Sequence, residues 1–432
     1  MQKKIEVSVF WFRRDLRLED NVGLNYALKS GLPVIPIFIF DDDILIELPK
    51  NDARVTFIYQ SLINIQLQLK NHDSSLLIKK GKVIAIWHEL IAKYTVKKAF
   101  FNKDYEPYTI KRDNEVIELL NTSNIKTFTF KDQVIFEKNE ILKDDGKPYT
   151  VFTPYKNRWI KKLKLNNFKS TPYANLKVDK FFKFETIFPT LETIGFIKSK
   201  QKVLPPNLKD ISEYHNTRDY PGINRTSNVS PHLRFGTISI KKLVSIAIEK
   251  NKTFLNELIW REFFMQILFH FPKVVTENFK PAYNRIDWRD APEDFQLWCE
   301  GNTGYPLVDA GMRQLNQTGY MHNRVRMVTA GFLCKHLLLD WRFGEAYFAE
   351  KLLDYELSSN NGNWQWAAGT GCDAAPYFRV FNPMIQLNKF DKDLCYVKTW
   401  IPELETAYCS PMVEHKFARQ RAIETYKKGI VK

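Results

Sequence analysis

Val7-Ser8-Val9-Phe10-Trp11-Phe12 runs through six residues without a charge, then breaks into Arg13-Arg14-Asp15-Leu16-Arg17-Leu18-Glu19-Asp20-Asn21. A continuous apolar run ending in a polar loop reads as a strand buried on both faces. Three more such runs, at 34–40, 75–78 and 98–101, are separated by amphipathic stretches. Strand, helix, strand repetition predicts a parallel sheet covered by helices over residues 1–130. The loop after the first strand has no glycine, and neither GxGxxG nor GxxxxGK[ST] occurs in the chain. Without a glycine-rich cradle for pyrophosphate, a dehydrogenase or a nucleoside triphosphatase is poorly supported.

Past the turn Asp145-Gly146 the pattern changes. A helix is expected near 152–165, followed by a Lys-, Asn- and Pro-bearing stretch that completes a connector over 131–205. From 206 to 432 the apolar spacing becomes 3 and 4, as in Leu255, Leu258, Ile259 and Phe263, which predicts a mostly helical second half. The balance of 64 Lys+Arg against 49 Asp+Glu leaves +15 and favours a polyanionic partner. Eight of those cations, against Asp179 alone, crowd between Lys156 and Lys180, so the excess does not by itself outline a binding face.

Five cysteines, none before Cys299 and no CxxC pair, argue against a secreted disulfide framework or a zinc ribbon. HExxH and GxSxG are missing as well, so metal and hydrolytic chemistry lose ground and no metal is expected. The N-terminus reaches charge too early for a signal peptide, and no apolar run approaches the roughly 18 residues of a membrane span. A reducing, cytoplasmic setting is expected.

Of the ten tryptophans, seven follow residue 250. Within that half, His322-Asn323-Arg324-Val325-Arg326-Met327 sets Asn323 and Met327 at i, i+4 on one helical face. Asp354 to Trp366 then packs carboxylates, amides and two indoles into thirteen residues. Taken singly, each reads as a helix cap or a core residue. Together they are harder to dismiss, because Asn is a poor helix-interior residue and a buried Trp needs a partner for its N–H.

These motifs closely resemble the photolyase/cryptochrome flavoproteins, and among them the class I cyclobutane pyrimidine dimer photolyases. The likeness runs from Trp11-Phe12-Arg13-Arg14-Asp15-Leu16-Arg17 through Phe152-Thr153-Pro154-Tyr155-Lys156 to Ile401-Pro402-Glu403-Leu404. It is strongest at Asn256 to Phe263, Thr303 to Ala310, His322 to Met327 and Asn360 to Trp366, continuing into Asp373 to Arg379. The resemblance implies an α/β domain with a Rossmann-like, parallel five-stranded sheet and an all-α domain that holds FAD. Tyr214 and Thr226-Ser227-Asn228-Val229-Ser230 match the family's phosphate and ribose contacts, and Asp354, Glu356 and Asn360 match positions facing the flavin ring. Arg326 matches the ion-pair partner of Asp354, and an amide at Asn360 can donate or accept as the flavin N5 changes protonation.

The activity implied is light-driven electron transfer from reduced FAD to a flipped-out thymine dimer in ultraviolet-damaged DNA, carried out by a monomer. Glu257 matches the hydrogen-bond donor or acceptor to the dimer, Trp260 and Trp366 the indoles that pack its rings, and Asn323 and Met327 the remaining pocket wall. Trp364, Trp341 and Trp288 match a chain that carries electrons to oxidised flavin, while Arg218, Arg261, Arg324, Arg379 and Gln386 match positions that grip DNA. Three departures stand out: Glu356 where many relatives carry Asp, Tyr320 where many carry Trp, and Thr109 where folate-binding relatives carry Glu. A second, antenna chromophore is therefore left open among folate, deazaflavin and flavin, with folate disfavoured. The rival reading is a cryptochrome, a light-signalling flavoprotein without repair; the five lesion-pocket residues favour repair.

Overall fold

The computed structural model describes residues 5–166, 177–223 and 225–431. Part of the expected connector, residues 167–176, lies outside the described residues. Strands β1 (Glu6–Phe12), β2 (Val34–Asp41), β3 (Leu77–Gly81), β4 (Thr95–Asn102) and β5 (Lys126–Phe130) form one sheet in the order β3-β2-β1-β4-β5. Every pairing is parallel, as expected from the sequence.

The opening strand shows why both faces are apolar. Phe10 and Phe12 enter a core with Leu24, Leu62 and Leu69 from the helices Val22–Leu28 and Ala53–Lys70. Val7, Val9 and Trp11 enter another with Trp87, Leu90, Val116 and Leu120 from Val83–Lys93 and Pro107–Thr122. β3 begins and ends later than the apolar run at 75–78, because its ladder with β2 runs from Leu77 to Gly81 through two lysines at the sheet edge. Hydrogen bonding sets the strand and apolarity only marks its buried part. β5, with the sequence Lys-Thr-Phe-Thr-Phe and no buried residue, gave no apolar run to read.

The chain forms two compact units. The first joins residues 1–140 to 162–205 and 229–249, and the second joins 141–161, 206–228 and 250–432, so the chain passes between units more often than one connector over 131–205 requires. Phe181, Leu191, Ile194, Phe196 and Phe235 all enter the core on one face of the sheet. Gly236, at φ +67°, lies so close to the first-strand loop that an added Cβ would stand 2.1 Å from the Arg14 carbonyl oxygen. The second unit is helical around a core that includes Trp298, Leu333, Trp341 and Trp364. No described helix is long and apolar enough to cross a membrane.

One device in the second unit makes its stability depend on pH. The helix Asn323–Gly331 widens into a π-helical turn, Phe332–Leu337, on which buried His336 stacks against Phe332 and meets the His415 Nδ1 atom at 2.9 Å. Burial lowers the His336 pKa to about 3, and burial lowers that of His415 too. A histidine with a depressed folded pKa is protonated more readily when unfolded, so its stabilisation is complete above about pH 6.5 and is lost as pH falls toward 3. Urea unfolding should show His336 contributing a slope of up to about 1.4 kcal/mol per pH unit in that window. His336→Leu should flatten it; an unchanged slope would mean the histidine is not the titrating group.

Candidate functional site

The helix Lys252–His270 starts from Asn251, whose side chain accepts hydrogen bonds from the Thr253 and Phe254 N–H groups. Glu257, Trp260, Arg261 and Phe264 recur at spacings of three and four, so they share one face. The half-buried Trp260 ring lies flat on Phe152, with centroids 3.6 Å apart and planes 8° from parallel. Phe152 opens the helix Phe152–Leu165, whose range matches the sequence reading. That helix is anchored from behind: the buried Glu262 carboxylate accepts from Trp159 Nε1 at 2.6 Å and from the Tyr155 hydroxyl at 3.3 Å.

Gly362 brings the helix Leu357–Ala368 against the same element, since a Cβ there would lie 2.2 Å from the Phe264 ring. Trp260 and Trp366, both half-buried, each stand four residues from that Phe264–Gly362 contact. On the helix Asn323–Gly331, Asn323 is exposed and Met327 half-buried, with an Arg324 guanidinium nitrogen 3.9 Å from the Met327 sulfur.

The residues expected around a flavin are ordered by one another. Arg326 Nη2 donates to both Asp354 oxygens, at 3.2 and 2.9 Å. The buried Asn360 amide donates to the Glu345 backbone carbonyl at 3.0 Å and to its Oε1 at 2.8 Å, which turns the Asn360 oxygen away from Glu345. Glu345 carried no signal in the sequence, yet it orients Asn360, and burial raises its own pKa. Tyr214 packs edge-on against Phe254, and burial with the neighbouring Glu257 charge raises its phenol pKa. Thr226 and Asn228 join through their side chains at 3.1 Å, and Asn228 adopts φ +53°; Val229 and Ser230 open the segment belonging to the first unit. Hydroxyls, an oriented amide and a guanidinium–carboxylate pair form a donor set that fits FAD.

Glu356 and Arg261 meet in an ion pair. Arg261 Nη2 donates to Glu356 Oε1 at 3.1 Å, and the two side chains are 12% and 5% exposed. Arg261, expected in the DNA grip, is thus half-buried and already neutralises a buried carboxylate, which it would have to leave in order to meet a phosphate. The remaining DNA candidates differ in setting. Arg218 Nη1 donates to Glu257 Oε1 at 2.6 Å, Arg324 Nη2 donates to Asp219 Oδ1 at 2.7 Å, Arg379 is exposed and Gln386 half-buried.

Trp364, Trp341 and Trp288 belong to or pack against one apolar cluster. Trp364 presses on Gly344, where a Cβ would stand 2.1 Å from its ring. Trp341 is buried with Nε1 donating to Asn278 Oδ1 at 2.9 Å, and half-buried Trp288 meets the Tyr426 ring edge-on at 5.7 Å. A fourth indole, buried Trp298, lies 6.1 Å from Trp364 and was not singled out from sequence.

In the first unit, at the carboxyl ends of β1 and β2, Arg13 pairs with Asp113 and Arg112 Nη1 with Asp41 at 3.2 Å, both guanidiniums lying 4.9 Å from the Trp11 ring. Thr109 spends its hydroxyl hydrogen on the Glu106 carbonyl at 2.7 Å, so this position offers no carboxylate to a folate.

Residues 8–175 match the family model for DNA photolyase and residues 254–407 that for the FAD binding domain of DNA photolyase. A deoxyribodipyrimidine photo-lyase of Halobacterium salinarum is 34% identical over 98% of this chain and 99% of its own. Among solved structures, a bacterial class III photolyase from Agrobacterium tumefaciens is 32% identical with a TM-score of 0.89, covering 100% of this chain and 99% of that one. An archaeal photolyase from Sulfolobus tokodaii with two FAD molecules is 33% identical with a TM-score of 0.83, covering 98% of this chain and 100% of that one.

Proposed function

This chain belongs to the DNA photolyase family of FAD-binding, light-driven DNA-repair enzymes, and on that premise we propose that its lesion is the cyclobutane pyrimidine dimer, split by an electron passed to the two joined bases once they are flipped out. The supporting observation is the Trp260 indole, half-buried and backed face-on by Phe152 at 3.6 Å, with the Glu257 carboxylate one turn before it on the same helix. Two fused pyrimidines present flat faces, and stacking on an indole is worth roughly 1–3 kcal/mol per base. Trp366 and Met327 supply further apolar wall, and Asn323 an amide for a base edge.

When bound in its reduced form, FAD supplies the electron on absorbing light. Arg326, Asp354 and Asn360 would hold its ring, and because the Asn360 N–H groups go to Glu345, the Asn360 oxygen is left to accept a hydrogen bond from it. Tyr214, Thr226, Ser227 and Asn228 would hold phosphate and ribose. Glu257, carrying a proton, would donate a hydrogen bond that strengthens as negative charge builds on the dimer. Trp364, Trp341 and Trp288 would carry the electron that restores the reduced cofactor. Arg261, Arg324, Arg379 and Gln386 would meet the DNA backbone, and Arg218, placed between Glu257 and Asp219, would line the same surface.

Glu257→Ala tests the lesion reading. It should leave flavin content intact, bind undamaged DNA at least as tightly as the parent because Arg218 loses its competing carboxylate, and lower the quantum yield of dimer splitting by about 10-fold, as expected for a lost charge-stabilising hydrogen bond. Equal repair yields in the variant and the parent would remove Glu257 from the mechanism. A protein that binds flavin and photoreduces it but never splits dimers in damaged DNA would be the signalling flavoprotein instead.

A further inference from the structure

Four side chains of the second unit form a line of alternating charge that runs out of the lesion pocket. Glu257 Oε1 accepts from Arg218 Nη1 at 2.6 Å; Asp219 Oδ1 stands 3.9 Å from Arg218 Nε and accepts from Arg324 Nη2 at 2.7 Å. One carboxylate oxygen of Asp219 therefore lies between both guanidiniums, nearer to Arg324. Arg324 lies over the Phe390 ring at 4.3 Å, and its Nε is buried with no hydrogen-bond partner among the described residues. Arg218, Asp219 and Glu257 side chains are 21%, 39% and 31% exposed, so the line opens to solvent along its length. His322, the N-cap of the helix that carries Arg324, adds no charge at neutral pH, because burial lowers its pKa to about 4.

The geometry poses a difficulty for repair. As the protein stands, Arg218 holds the carboxylate that the lesion needs, and Asp219 occupies the cation that a phosphate needs. Building on the dimer-repair reading, we propose that Asp219 is a positioning residue that exchanges partners: it stands in for a DNA phosphate on Arg324 in the free protein, and moves to Arg218 when a phosphate takes its place, freeing Glu257 for the lesion. Only short movement is required, since Asp219 already lies 3.9 Å from its second partner. The exchange keeps both guanidiniums paired, phosphate with Arg324 and Asp219 with Arg218, while the released Glu257 takes a proton from solvent and donates it in a hydrogen bond to the neutral dimer. It couples engagement of the DNA backbone to readiness of the lesion pocket, so that an empty pocket is kept closed on its own cation.

Asp219→Asn tests this in the flavin-loaded protein, with dark binding to matched duplexes with and without one dimer. Removing the competing charge frees Arg324 for phosphate, so undamaged DNA should bind about two- to fivefold tighter, with a log–log salt slope steeper by about one. Glu257 then stays with Arg218, so dimer-containing DNA should gain nothing, and its splitting yield at saturation should fall about 10-fold. Asp219→Glu, which keeps the carboxylate, should restore the parent's discrimination and yield. A merely structural Asp219 would weaken binding to both duplexes by one factor, and a simple charge effect would tighten both equally with yield unchanged; either result overturns the exchange, as does an Asp219→Glu variant that behaves like Asp219→Asn. A parent protein that binds both duplexes alike and splits no dimers would instead overturn the repair reading itself.

Discussion

Replacing Trp341 by Phe should abolish light-driven reduction of the bound oxidised flavin and leave dimer repair by chemically reduced enzyme intact. Phe is far harder to oxidise than Trp, so an electron that must hop through this position stops there. Trp341 is only 1% exposed, within a core shared with Trp364 and Trp288, and the substitution keeps most of its volume. Its one polar consequence is local: Asn278 Oδ1 loses the indole N–H that meets it at 2.9 Å, at a cost of about 1–3 kcal/mol in stability. The splitting electron leaves reduced flavin directly and never passes Trp341, so repair has no reason to fall. Trp298 supplies the control, because it is a buried indole 6.1 Å from Trp364 that the proposed chain leaves out. Trp298→Phe should photoreduce at the parental rate. If it is instead Trp298→Phe that fails while Trp341→Phe photoreduces, the electron takes the other branch and Trp341 is core packing.

The asymmetry between those two tryptophans shows where sequence reading stops. Apolar periodicity located four strands and the helix Phe152–Leu165, because burial on a regular element repeats with the element. It missed β5, an edge strand with no buried residue, for the same reason. The dense amides of 360–365 looked like one feature and proved to be two. Asn361 and Gln365 donate to the Val274 carbonyl at 2.8 and 2.9 Å, holding the loop behind the helix, whereas Asn360 turns the other way to Glu345. Side chains one position apart on a helix face different neighbours, and only the packing tells which. Arg261 illustrates the same limit: nothing in its helix position announces the ion pair with Glu356, 95 positions away. Partners such as Glu345 and Asp219 leave no pattern at all, since a hydrogen bond between distant segments imposes no spacing on either.

Glu262 is another such hidden dependency, and Glu262→Ala should cost about 2–5 kcal/mol of stability, read as a fall in the urea midpoint with the slope preserved. It lies within the motif Asn256 to Phe263 but two positions from Trp260, on the side of the helix turned away from the pocket. There its carboxylate serves the buried Trp159 indole at 2.6 Å and the buried Tyr155 hydroxyl at 3.3 Å, both on the helix Phe152–Leu165. Alanine removes both acceptor bonds and leaves a cavity; Glu262→Gln keeps one oxygen for Trp159 and should cost less than half as much. The effect should also reach function. Phe152 starts the same helix and backs the Trp260 ring, so loosening that helix takes away the surface against which Trp260 is held flat. Discrimination of dimer-containing over undamaged DNA should therefore fall in Glu262→Ala even at temperatures where the variant is fully folded, and should return in Glu262→Gln. A variant that is destabilised yet discriminates like the parent would show that Phe264 and Phe263, at 5.4 and 5.6 Å from the indole, hold Trp260 without help from Phe152.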